Sequence, residues 1–196
     1  MDKIKLLIKG REQDTFAIHY ACEDFYNGGA VAPSICAISI VNMKTKELHT
    51  FALHNYILQG KSLVDSEKQL LLDFVNFYKS LNNPIFIHWT MDSLQYGFKA
   101  ILARAENFGI YDFELSKMQD INLKNYIDLS LIRGLEINNC KKISVLTGKD
   151  EAMCFNKRDY NLVKLSTEGK VLGILDLFEK YINNDLVDLD DYDVNY

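Results

Sequence analysis

Early in the chain, the run Phe16-Ala17-Ile18-His19-Tyr20-Ala21-Cys22 is almost wholly apolar, and it limits what the rest can fold into. A strand so short of polar positions has no wet face, so it reads as a buried central strand. After a loop with Asn27-Gly28-Gly29, Ser34 to Val41 reads as a second strand. Beyond the polar turn Lys44-Thr45-Lys46, the stretch Glu47 to His54 alternates like a third. Three strands joined this way predict an antiparallel meander.

The hydrophobic period then lengthens. Ser66 is placed to cap a helix running to about Leu81, with Leu70, Leu71, Phe74, Val75, Phe77 and Tyr78 on its apolar side. Asn82-Asn83-Pro84 breaks it, and Ile85 to Trp89 reads as a strand. Met91, Leu94, Phe98, Ile101, Leu102 and Ala105 then form one helical stripe that closes at Gly109, with Asp92 left beside the strand exit. Tyr126 to Ile132 reads as a short strand or a helical turn. Ile143 to Phe155 reads as a hairpin around Gly148-Lys149-Asp150, or as a helix followed by a loop. A last helix, Glu168 to Ile182, packs Val171, Ile174, Leu175, Phe178 and Tyr181. A meander followed by helix–strand alternation predicts an α/β domain with a mixed sheet.

A chain of 196 residues with two prolines and ten glycines leaves no room for a flexible linker. We read residues 1–184 as one domain and 185–196, which carries five Asp, as a solvated acidic tail. The net charge of −5 argues against coating nucleic acid, which needs an excess of Lys and Arg. It leaves room for an enzyme that engages one strand end. The four cysteines show neither C-x-x-C nor zinc-finger spacing. The first ten residues are too charged for a signal peptide, and no apolar stretch nears the roughly 20 residues of a membrane span. A reduced, cytoplasmic protein without membrane association is expected.

Three acids stand where elements begin or end: Glu23 after the first strand, Asp92 after the strand Ile85 to Trp89, and Glu168 at the head of the last helix. Carboxylates spread in this way can converge to hold divalent metal for phosphoryl chemistry. Each also has an ordinary use. Glu23 can be a strand-end charge in solvent, and Asp92 and Glu168 can be helix-start acids favoured by the macrodipole. Trp89 could stack on a base or fill the core. Lys170, Lys164, Arg158 and Lys157 could grip phosphate or form a solvated face.

In order and spacing these pieces resemble the DEDD-type 3′–5′ exonucleases of the ribonuclease H-like superfamily, over residues 14 to 182. Glu23 precedes Cys36-Ala37-Ile38-Ser39-Ile40 as the family's first acidic motif precedes its second strand. Ile87-His88-Trp89-Thr90-Met91-Asp92 is similar to the strand that ends in His-Asn with an Asp soon after. Ile127-Asp128-Leu129-Ser130 resembles a short Asp-Ser/Thr segment, and Ser166-Thr167-Glu168-Gly169-Lys170 the acid at the start of the terminal helix.

The resemblance implies a ribonuclease H-like mixed sheet, an antiparallel three-strand meander plus parallel strands, flanked by helices. It implies a metal-dependent exonuclease-like phosphodiesterase acting on single-stranded nucleic acid or small nucleotides. Glu23, Asp92 and Glu168 would then be catalytic metal ligands for Mg2+ or Mn2+, one ion or two, with Asp128 or Asp24 assisting. His88, Trp89 and Lys170 would touch substrate. The chain departs from the pattern at Ala21, where the first Asp would stand. It departs again before Glu168, where Val163 and Lys164 replace the His or Tyr base. The alternative is an inactive exonuclease-fold interaction module, a pseudo-nuclease, in a phage-defence or mobile-element system, with the acidic tail docking a basic protein partner.

Overall fold

The structure is a computed structural model, and it describes residues 3–23, 32–92, 96–111, 113–114, 118–127 and 145–186. Its centre is β1 (Thr15–Cys22), buried along its whole length as the apolar run predicts. β2 (Ile35–Asn42) pairs with it antiparallel, and β3 (Leu48–Ala52) pairs antiparallel with β2. On the other flank β4 (Ile85–His88) runs parallel to β1, and β5 (Gln119–Asn122) runs parallel to β4. The sheet order is β3-β2-β1-β4-β5, a mixed five-stranded α/β sheet with the expected meander.

Side chains alternate across β1 and divide the core in two. Phe16, Ile18 and Tyr20 share one cluster with Leu70, Leu71 and Phe74 of α3 (Leu63–Ser80) and with Phe98 and Ile101 of α4 (Phe98–Asn107). Ala17 lies in the other cluster, with Ile85, Ile87 and Ile121 of the parallel strands. There it joins Val171, Ile174 and Phe178 of α6 (Tyr160–Asn183) and Ile4 and Ile8 of α1 (Lys3–Ile8). Each large aliphatic or aromatic side chain so buried contributes about 1.5–3 kcal/mol. Helices thus flank both faces of the sheet.

Local details move several expected boundaries. The third strand stops at Ala52, and the chain turns directly into α2 (Leu53–Ile57). α3 starts before Ser66: Ser62 is its cap, accepting the Asp65 N–H, and Ser66 is fully buried. α4 begins only at Phe98. Of the two readings of Ile143 to Phe155, the helix stands: α5 (Gly148–Asn156) is capped by Thr147, which accepts the Asp150 N–H.

The last helix differs most. It begins at Tyr160, where Asp159 accepts the Leu162 N–H, so Glu168 lies in its interior and not at its head. Ser166 and Thr167 imitate a cap in sequence but are wholly buried. Thr167 donates to the Val163 carbonyl of its own helix, and Ser166 to Glu151 of α5. Asp24, Asp128 and the tail beyond Leu186 fall outside the described residues. No helix among the described residues is long and apolar enough to cross a membrane.

Candidate functional site

The parallel strands β1, β4 and β5 end on the same side, and ligands of open α/β sheets bind beyond such carboxyl ends. Glu23 directly follows β1, past a register shift at Ala21/Cys22, and its N–H donates to the Ser34 carbonyl at 2.9 Å. Asp92 follows β4, and Asn122 ends β5.

The turn after β4 is built by hydrogen bonds. His88 is completely buried, and its Nδ1 accepts the Met91 N–H at 3.0 Å. That bond leaves the proton on Nε2, which donates to Asp120 of β5 at 3.0 Å. Both ring nitrogens of His88 are thus engaged inside the protein. Trp89 packs, partly buried, against the α6-side core.

Thr90 has φ +57, a left-handed conformation disfavoured for a β-branched residue. Its N–H donates to Asn122 Oδ1 at 3.1 Å. Asn122 Nδ2 donates to both oxygens of Asp92, at 2.9 and 3.0 Å, while Asp92 stays exposed to solvent. The far end of the segment is pinned as well. Gly97 donates its N–H to the Tyr20 hydroxyl at 3.0 Å, and the Tyr96 hydroxyl donates to the Tyr20 carbonyl at 3.2 Å.

Across the sheet, Glu168 is ion-paired with Lys164 one turn earlier at 2.8 Å, and both side chains are largely covered. Lys170 pairs at 2.7 Å with Glu151, a carboxylate only 6% exposed that also accepts from Ser166. His19, in the middle of β1, is buried with no hydrogen-bond partner for either ring nitrogen among the described residues. Burial first, and the Lys170 ammonium second, pull its pKa down to about 3, so the ring is neutral.

Of the sequence-predicted residues, Glu23 and Asp92 leave neighbouring strands at one end of the sheet, and Glu168 lies within α6 with its own counter-ion. Among the described residues, no group of three or more His, Cys, Asp or Glu side chains could hold a metal ion. Glu23, Asp92 and Glu168 therefore make no such group. The organising residue that sequence reasoning missed is Asn122. The alternation Asp120-Ile121-Asn122-Leu123 was its only signal, four residues long.

Cavities of about 390 and 480 Å3 open at the opposite end of the sheet, around Arg11, Asn83 and Glu114. Arg11 there donates to Gln119 and to the Asn83 carbonyl. The candidate site lies at the carboxyl ends of the parallel strands, away from both cavities. No protein-family model matches the chain, and no curated protein matches it.

Proposed function

We propose that this chain is a ribonuclease H-like domain of the DEDD exonuclease kind that binds single-stranded nucleic acid or a small nucleotide without hydrolysing it. The meander followed by parallel strands, with helices on both faces, supports the fold part of this reading. The observation that carries the rest is how the acids are engaged. Ala21 stands where the resemblance expects an Asp, Asn122 holds both oxygens of Asp92, and Lys164 neutralises Glu168. An amide and an ammonium supply the positive partners that bound cations would otherwise provide.

Partly exposed Trp89 at the strand exit offers a surface on which a base could stack. The reading carries a reduced, cytoplasmic setting, in which the buried Cys22 and Cys36 are not joined in a disulfide. The exonuclease reading, with Mg2+ or Mn2+, is favoured by one observation: Glu23 and Asp92 each follow the carboxyl end of one of two adjacent parallel strands.

The test is fluorescence anisotropy with 3′- and 5′-labelled single-stranded DNA and RNA, followed by gel analysis of the same samples with Mn2+. Saturable binding with intact oligonucleotide is expected. Shortened product would replace the binding reading with the enzymatic one, and absence of both binding and product would sink the two together.

A further inference from the structure

Asn122 is the only described residue seen to bond both the acid and the turn at the β4 exit. Its amide has one orientation that satisfies its neighbours. A carboxylate can only accept and backbone N–H groups can only donate, so Nδ2 must face Asp92 and Oδ1 must face Thr90 and Lys124. Flipping the amide would set oxygen against carboxylate and NH2 against two N–H groups. The residue is 8% exposed and ends β5, so its side chain is held on a strand and not on a loop.

We infer that Asn122 is a positioning residue that sets the Asp92 carboxylate and the left-handed Thr90 turn as one unit. The inference rests on reading the carboxyl ends of the parallel strands as the ligand face. Asp92 fixes the plane of the Asn122 amide through two hydrogen bonds, and that plane delivers Oδ1 to the Thr90 N–H. A group that takes the Asp92 carboxylate thereby acts on a backbone amide that Asp92 never touches. The nearby Met91 N–H is held independently, by His88 and Asp120.

This separation makes the test. Amide hydrogen exchange is followed by NMR at Thr90 and Met91 in the unaltered protein, Asp92→Ala and Asp92→Asn. Asp92 is exposed, so removing its side chain leaves the core untouched. In Asp92→Ala the Thr90 amide should speed up at least about fivefold more than the Met91 amide, roughly the worth of one hydrogen bond. Asp92→Asn, which keeps one accepting oxygen, should restore most of the protection. A Thr90 change less than about fivefold beyond that at Met91 overturns the inference. The measurement uses no ligand. A failure of oligonucleotides to bind would remove the proposed function and leave this result standing, and the converse holds too.

Discussion

Arg104 on α4 clasps the carboxylate of Glu67 on α3 through two parallel hydrogen bonds, Nε to Oε1 at 2.6 Å and Nη2 to Oε2 at 2.7 Å. Glu67 is 3% exposed, and its Oε1 also accepts the Ile35 N–H at the start of β2. The pair therefore joins two helices to the meander at the start of β2. Arg104→Met strands a buried carboxylate without its counter-charge, at a cost of about 3 kcal/mol. Urea denaturation measures it. A loss below about 1 kcal/mol would mean that solvent already reaches Glu67.

Gly97 has φ +95, and a Cβ placed on it would lie 1.8 Å from the Met91 carbonyl oxygen. Neither the backbone angle nor the space admits a side chain, and the obstacle is main chain that cannot rotate away. Gly97→Ala should destabilise by about 3 kcal/mol or more, combining left-handed strain with overpacking. A thermal midpoint within a degree or two of the parent would contradict this packing of the segment.

His19 makes stability depend on pH. Its folded-state pKa is depressed from 6.5 to about 3, so only the unfolded chain binds the proton between these values. Stability is full above pH 6.5 and falls as the pH drops towards 3. From pH 7.5 to 5.0 the loss from this group is at most about 2 kcal/mol. Urea midpoints across that range should fall less steeply in His19→Leu; an unchanged slope would assign the pH dependence to other groups.

Lys164 and Glu168 are 22% and 15% exposed, too covered for a freely solvated pair and too open for a dry one. A double-mutant cycle with Lys164→Ala and Glu168→Ala should give a coupling of about 1 kcal/mol that shrinks in high salt. Additive single effects would show that the pair holds nothing in place.

The sheet was readable where sequence pattern and burial coincide. β1, β2 and β4 are runs that hydrophobicity alone delimits, and Pro84 marks the start of β4. The sequence places the head of the last helix too late because Ser166 and Thr167 have the chemistry of a cap, although both lie buried, Ser166 bonded to Glu151 of α5 and Thr167 to the Val163 carbonyl. The signal at Asp159 was a single side chain. β5 escaped because two of its four residues are exposed and its length barely registers as alternation. The acids were seen in sequence, but their partners were not. Asn122 reaches Asp92 across thirty positions of chain, and no local pattern announces such a bond.

The seat of β1 carries a consequence for how the molecule is made. Its antiparallel neighbour β2 emerges soon after it, but the parallel neighbour facing Thr15 to Ala17 is Ile85 to Ile87, delivered only after α3 has been synthesised. Until then a nascent meander presents a bare, greasy hydrogen-bonding margin to its surroundings. Newly made chains are most exposed to cross-pairing with one another in that interval, well before any ligand site exists.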